Sequence, residues 1–308
     1  MLTIEYIIHM RRIRLTVIFP GAGNIISSIV RKFLDFSDYK YQKSLVSRLD
    51  LTQEFQLVSS YDTNRVRSYI SEIAQILFEN SKYDPEVLEL VGTRNDGSYV
   101  TTKQSCIENK WISVGIGSHF EFEQELFSRG NLVHGFDAQI GIVPKQSRGI
   151  RMTRKNWGFQ NSDSTMTLKA MLVESGIDAN EEWNLKFDIE GAEWNLLSQI
   201  HSLEKLPNVI ICELHNLIPR LNDQSLNLRL KELSKLNALY EPVFVKPNNY
   251  SAYVMSEGIG FYDVLEITWV LRSETANMKK TKLIATSELV VINDKLRPMY
   301  PIGFLALN

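Results

Sequence analysis

The sequence has few cysteines, the residues that are typical of disulfide-bonded secreted proteins and of structural metal sites. Among its 308 residues there are only two cysteines, Cys106 and Cys212, and these cannot form a disulfide framework. Neither lies in a C-x-x-C or Cys/His spacing of the kind that holds structural metals. Because cysteine-poor chains are typical of reducing compartments, we expect a cytoplasmic protein.

An excess of charge of one sign is also absent. Lysine and arginine total 34 and aspartate and glutamate total 36, so the formal net charge is −2. Nucleic-acid-binding proteins usually carry a basic excess or a clustered basic face, and neither occurs here. We therefore expect no nucleic-acid partner.

Long apolar runs and internal repeats are missing as well. The apolar stretch near residues 15–30 contains a proline, two glycines and an asparagine, which make it too polar and turn-rich for a membrane span of about 20 residues. It also lacks the clean apolar core of a signal peptide. We expect neither a membrane partner nor a cleaved leader.

The composition that remains is that of a globular protein, 44% apolar and 23% charged. At about 150 residues per domain, the length suggests two domains or one domain with an extension. The clearest early pattern is at 65–80, where apolar residues recur at helical spacing and predict an amphipathic helix.

From Trp111 onward, short apolar runs alternate with helical patterns of about ten residues. Strands are predicted at 111–116, 131–136, 150–152, 184–187, 209–212, 242–245, 264–271 and 283–291, and helices at 120–128, 166–174, 192–200 and 221–236. This alternation predicts an α/β fold with a doubly wound, mostly parallel, Rossmann-like sheet. Ligands of such sheets bind beyond the carboxyl ends of the strands, where the strand order reverses.

The first candidate site follows the first predicted strand of this repeat. Gly115 and Gly117 allow a sharp turn and a close backbone approach to a ligand, although a bare turn explains them equally well. Asp137 ends the next strand, twenty residues after Gly117, where a carboxylate can accept the ribose hydroxyls of a nucleoside cofactor. A helix cap or turn is the structural alternative for Asp137. Both a dinucleotide and S-adenosylmethionine fit, and the missing third glycine favours the latter.

Acidic residues cluster at the ends of the next two strands. Asp188 ends one strand, and Glu190 follows at the start of a helix, where a simple capping role is the alternative. Glu213 and His215 share one face at the end of the following strand. Adjacent parallel strands would bring these groups together, as a general base or as a divalent-cation site. A hydrogen-bonded loop histidine is the alternative for His215.

The segment Asp188-Ile189-Glu190-Gly191-Ala192-Glu193 resembles the signature of the FkbM family of S-adenosylmethionine-dependent methyltransferases. The likeness covers roughly residues 94–270. It continues, in order along the chain, through 94–100, 114–117, 136–137, 213–215, 248–250 and 263–268. Three positions depart from the family pattern: Ser98 replaces a glycine, Ser113 an acid and Lys246 a histidine.

The resemblance implies a class I methyltransferase fold that uses S-adenosylmethionine to methylate a hydroxyl of a sugar or other small polyhydroxylated acceptor. It assigns no metal, although a cation requirement stays open. The cofactor residues it implies are Gly115, Gly117, Asp137 at the ribose and Asp163 at the adenine, and the catalytic ones are Asp188, Glu213 and His215. For Asp163, capping of the helix after Thr165 is the alternative.

The resemblance divides the chain into residues 1–93, an accessory cap or oligomerisation arm, and residues 94–308, the methyltransferase domain. Two other functions remain open. One is a nucleotide-cofactor oxidoreductase or nucleotide-sugar enzyme, disfavoured by the missing third glycine and the absence of a Tyr-x-x-x-Lys pair. The other is a non-catalytic cofactor-binding module. The sequence defines neither the oligomeric state nor the exact acceptor.

Overall fold

In the computed structural model the chain forms two compact units, Met1–Tyr61 and Asp62–Asn308. The structure describes residues 2–8, 11–17, 63–78, 84–93, 97–140, 143, 145–178, 180–218, 225–256, 259–276, 278, 289, 293 and 303–304. In the smaller unit, strands β1 (Leu2–Ile8) and β2 (Arg11–Val17) pair as an antiparallel hairpin.

Six helices and fourteen strands are described in the larger unit. The helices are α1 (Thr63–Phe78), α2 (Glu121–Ser128), α3 (Leu168–Glu174), α4 (Glu193–Ile200), α5 (Leu226–Leu239) and α6 (Arg272–Thr275). The strands are β3 (Leu88–Val91), β4 (Tyr99–Thr102), β5 (Lys110–Val114), β6 (Leu132–Phe136), β7 (Arg151–Thr153), β8 (Asn156–Trp157), β9 (Thr165–Met166), β10 (Asn184–Phe187), β11 (Val209–Leu214), β12 (Tyr240–Pro247), β13 (Tyr253–Ser256), β14 (Ile259–Tyr262), β15 (Leu265–Leu271) and β16 (Gly303–Phe304).

A seven-stranded sheet with the order β12-β15-β11-β10-β5-β6-β7 organises the larger unit. Strands β7, β6, β5, β10 and β11 pair in parallel, and β15 is antiparallel to both of its neighbours. The chain winds outward from β5 through β6 to β7, and then from β10 outward on the other side. The order therefore reverses between β5 and β10, and the expected doubly wound, mostly parallel, Rossmann-like fold is confirmed.

Packing on both faces of this sheet buries its central strands, including the polar side chains that they carry. Every residue of β10 and β11 is buried. Ile210 and Cys212 belong to one core cluster, with side chains of α1, α3, α4 and α5, whereas Val209 and Ile211 belong to a second, with α2 and the β3–β4 hairpin. Strand β11 accordingly begins with four apolar residues in succession, 209–212. Strand β10 instead keeps Asn184 and Lys186 as buried polar side chains.

The structure differs from the sequence expectations in several places. The last long strand, β15, inserts antiparallel into the sheet, and a bulge interrupts its pairing with β12 between Pro242 and Phe244. A small antiparallel sheet, β13-β14-β16, was not predicted. The strand predicted at 283–291 lies outside the described residues except for Leu289. No helix in the described part of the chain is long and apolar enough to cross a membrane.

Helix α1 lies in the larger unit, although the sequence analysis placed it in an accessory segment ending at residue 93. Its side chains Tyr69, Ile73 and Leu77 are buried in the core cluster that covers one face of the sheet. The compact units divide at Tyr61/Asp62 instead, because α1 contributes apolar surface to the common core.

We expect Ile73→Ala to lower the free energy of unfolding by about 2–5 kcal/mol, because it leaves a cavity beside a fully buried position. Gln75→Ala, at an exposed position of the same helix, is the matched control and should change it by no more than about 0.5 kcal/mol. Urea unfolding followed by circular dichroism measures both. Equal effects would show that α1 does not belong to the core.

Candidate functional site

A cavity of about 350 Å³ opens at the carboxyl ends of β5, β10 and β11, beside the point where the strand order reverses. Most of its lining residues are of polar or charged types, and both signs of charge occur among them. The lining residues are Gly97, Tyr99, Ile116, His119, Lys186, Asp188, Glu190, Glu213, His215, Asn248, Tyr250, Ser251 and Val264. The three predicted catalytic residues, Asp188, Glu213 and His215, therefore meet in one cavity.

The glycine loop after β5 passes in direct contact with the end of β10. Gly115 has a φ of +73°, and a Cβ atom built there would lie 1.8 Å from the carbonyl oxygen of Asp188. The Gly115 N–H donates to the Phe136 carbonyl at 2.9 Å, and its own carbonyl accepts from the Lys186 ammonium at 2.9 Å. Only glycine fits at this position, so the loop is fixed by sterics as well as by hydrogen bonds.

Asp137 anchors this loop from behind. Its Oδ2 accepts the backbone N–H groups of Ile116 at 3.0 Å and Gly117 at 2.7 Å, and its Oδ1 accepts that of Gln139 at 2.6 Å. The side chain is buried and is not part of the cavity lining. The structure therefore gives Asp137 the turn role that was its structural alternative, together with a hold on the glycine loop, and its contact with a ribose stays a prediction.

Asp163 lies apart from the other predicted residues. It is exposed in the segment between β8 and β9 and does not line the cavity. The alternative role, capping of the next helix, is wrong for Asp163, because the cap of α3 is Thr167, whose Oγ1 accepts the N–H of Ala170 at 3.2 Å. An adenine contact by Asp163 stays a prediction.

Asp188 and Glu213 form a pair of carboxyl groups on the cavity wall. The Tyr99 hydroxyl donates to Asp188 Oδ2 at 3.2 Å, and the Asn248 amide donates to Glu213 Oε1. Burial raises the pKa of Glu213 well above its usual range, and the charges of Asp188 and Glu266 raise it further. Glu213 is therefore the carboxyl group of this site that most readily holds a proton.

His215 is held by a buried glutamate. Glu193, fully buried at the start of α4, accepts the N–H groups of Ile189 and Gly191 at 3.0 Å and lies 3.1 Å from His215 Nδ1. Burial lowers the pKa of His215, but the hydrogen bond and charge of Glu193 outweigh it and raise the pKa to about 9. His215 is thus an imidazolium near neutral pH. Its Nε2 lies 3.5 Å from Glu190, whose side chain is 88% exposed.

Several lining residues were not among the predicted site residues, and Lys186 and Tyr99 are the two with the clearest contacts. Lys186 is only 3% exposed and stacks 4.9 Å above the ring of Tyr99. A lysine between two apolar residues of a predicted central strand was the available signal, because a buried ammonium needs partners. Tyr99 had no such signal, since it comes from the β3–β4 hairpin outside the main sheet.

Two departures from the family pattern have structural partners. The Ser113 hydroxyl, in place of the usual acid, donates at 2.5 Å to Glu123 Oε1, a buried carboxylate of α2. Lys246, in place of histidine, forms a buried ion pair of 2.6 Å with Glu266. The charge expected at 113 is therefore supplied from a helix, and Lys246 is engaged within the sheet.

Comparison with known proteins gives no family. No family model and no curated protein matches this chain. Among solved structures it is similar to the fibrillarin pre-rRNA processing protein of Methanococcus jannaschii, at 11% identity and a TM-score of 0.27 over 54% of this chain and 68% of that one. It is also similar to the 1,6-didemethyltoxoflavin-N1-methyltransferase of Burkholderia thailandensis, solved with S-adenosylhomocysteine, at 12% identity and a TM-score of 0.29 over 86% and 97%. At such low scores, the fold assignment rests on the strand order described above.

We expect Asp137→Asn to lower the free energy of unfolding by about 3 kcal/mol without any ligand, because hydrogen bonds to a charged group contribute about 1.5–3 kcal/mol each. Asp163→Asn, in an exposed segment, is the matched control and should leave stability unchanged. Urea unfolding without added cofactor measures both variants. If Asp137→Asn were as stable as the parent protein, the loop would not depend on this carboxylate.

Proposed function

We propose that the protein is an S-adenosylmethionine-dependent O-methyltransferase that acts on a hydroxyl of a sugar or other small polyhydroxylated molecule. One observation carries the proposal. Asp188, Glu213 and His215, from two adjacent parallel strands, surround a cavity next to the glycine loop at the reversal of strand order. In doubly wound sheets this is the place where ligands bind.

The geometry of the glycine loop favours a nucleoside cofactor that has no pyrophosphate. Gly117 has a φ of +62°, and no atom lies within 4 Å of a Cβ built there, so its backbone faces open space. A third glycine of the dinucleotide fingerprint is absent, as the sequence analysis noted. The carboxylates of Asp188 and Glu213 have no cation within ion-pair distance among the described residues, which suits a positively charged sulfonium ligand.

Bound S-adenosylmethionine would supply the methyl group, and its sulfur would take the electron pair of the broken C–S bond. The chain must then align the acceptor oxygen and take its proton. Glu213 is the best base, because it lines the cavity. Its raised pKa also means that its carboxylate, once formed, binds a proton more strongly than an ordinary carboxylate does. His215 is already protonated near neutral pH, so we assign it a binding role and not the base.

The remaining lining supports a small hydroxylated acceptor. Asn248, Tyr250, Ser251 and His119 contribute amide, hydroxyl and imidazole groups to the cavity. Such groups hydrogen-bond to several hydroxyls of one molecule and fix which of them reaches the base. The volume of about 350 Å³ suits a small molecule.

We expect Gly117→Asn to weaken binding of S-adenosylhomocysteine at least about tenfold, because a side chain would occupy the space that the cofactor needs. Asparagine tolerates a positive φ, so the fold should persist. Gly176→Asn is the matched control, since Gly176 also has a positive φ (+65°) and open space around it but follows α3. Calorimetric titration measures binding. Binding of NAD in place of S-adenosylhomocysteine would contradict the proposal and favour an oxidoreductase.

We expect Glu213→Gln to slow methyl transfer by about 10²–10⁴-fold, the usual contribution of a general base, while affinity for S-adenosylhomocysteine changes little. The assay follows label from methyl-labelled S-adenosylmethionine into a panel of mono- and disaccharides. Transfer by the parent protein should rise with pH, because Glu213 must lose its proton before it can act. Cofactor binding by the parent protein without transfer to any member of the panel would point to a non-catalytic module.

A further inference from the structure

We propose that the mouth of this cavity binds one divalent metal ion through a carboxylate oxygen of Asp188, a carboxylate oxygen of Glu190 and Nε2 of His215. This metal site rests on the proposed function in one respect, because it lies in the same cavity. Its three ligands are chosen from their geometry alone, and metal binding can be measured without methyl transfer.

The three side chains already converge. One ligand atom from each lies within 4.8 Å of the other two, and Nε2 of His215 is 3.5 Å from Oε2 of Glu190. Ligands at about 2.0–2.2 Å from one ion are separated by about 3–4 Å. The three ligand atoms need to move only slightly closer together, and the exposed side chain of Glu190 can make this movement.

His215 is oriented as metal-binding histidines are. Its Nδ1 is 3.1 Å from Oε1 of Glu193, a fully buried carboxylate that is itself fixed by two backbone N–H groups. A histidine that gives one ring nitrogen to a carboxylate presents the other, with a defined direction, to a metal. Here the presented nitrogen is Nε2, on the side of Glu190. The ion would replace the proton that Nε2 carries in the imidazolium, and this proton would pass to water.

Asp188 provides an independent observation. Its Oδ2 accepts the Tyr99 hydroxyl, but its Oδ1 is buried, and no donor among the described residues reaches it. A buried charged acceptor without a partner costs at least about 1–3 kcal/mol. A cation at Oδ1 would satisfy this acceptor.

The donor set indicates the kind of metal. Two carboxylate oxygens with one imidazole suit a borderline ion such as Mn²⁺ or Zn²⁺ better than Ca²⁺, which prefers six to eight oxygens. Three protein ligands leave positions for water or for an acceptor hydroxyl. A metal-bound hydroxyl loses its proton more readily, so the ion would assist Glu213 in the proposed reaction.

The test titrates Mn²⁺ into the full-length, chelator-treated protein and follows free Mn²⁺ by electron paramagnetic resonance. We expect one ion per chain, with binding weakened at least about tenfold in Glu190→Gln, which removes one ligand from an exposed side chain. Glu108→Gln is the matched control, because Glu108 is also an exposed glutamate at a positive φ (50° against 54°) and should bind like the parent protein.

Two results would overturn the site: failure of the parent protein to bind Mn²⁺ or Zn²⁺, or equal binding by Glu190→Gln and Glu108→Gln. Calorimetry with S-adenosylhomocysteine on the same samples separates this inference from the proposed function. Cofactor binding without metal binding would remove only the metal site. Loss of cofactor binding alone would remove the methyltransferase proposal and leave the metal site standing.

Discussion

The contact between Gly115 and the carbonyl of Asp188 is the constraint on which the site depends. A side chain at 115 would overlap this carbonyl, so the loop after β5 and the end of β10 can lie together only with glycine there. Two further bonds close the junction: the N–H of Asp188 donates to the Val114 carbonyl at 3.0 Å, and Lys186 donates to the Gly115 carbonyl. The glycine loop, the buried lysine and the Asp188 carboxylate are therefore positioned by one junction between two strands.

The local pattern of apolar residues was sufficient to predict most strands of the sheet. Strand β10 was predicted with its observed bounds, and α1 within two residues at each end. The antiparallel insertion of β15 was not predictable, because a fully buried strand has the same apolar run whichever way it pairs. The division of the chain was likewise hidden, since α1 joins the core through contacts with residues far away in sequence.

In the site too, the sequence pattern predicts which side chains meet but not which groups they bond to. Asp188, Glu213 and His215 were foreseen because parallel strand ends must meet at one edge of a sheet. For Asp137 the pattern allows either a ribose contact or a cap or turn, and it does not show that backbone N–H groups of the glycine loop are its partners. Glu193 enters the sequence analysis only as the last residue of the family-like segment, whereas the structure makes it the buried group that orients His215.

Charge compensation explains why this edge of the sheet suits a positively charged ligand. Two buried lysines are available: Lys246 neutralises Glu266, and Lys186 is engaged by the Gly115 carbonyl and lies 3.9 Å from Glu123. Neither forms an ion pair with Asp188 or Glu213 within the described part of the chain. A buried carboxyl group without a neighbouring cation, such as that of Glu213, must keep a proton or receive positive charge from outside the protein. Asp188 is partly buried and has the ring of His215 within 4.8 Å. The proposed sulfonium cofactor and the proposed divalent metal ion would each bring positive charge into this cavity.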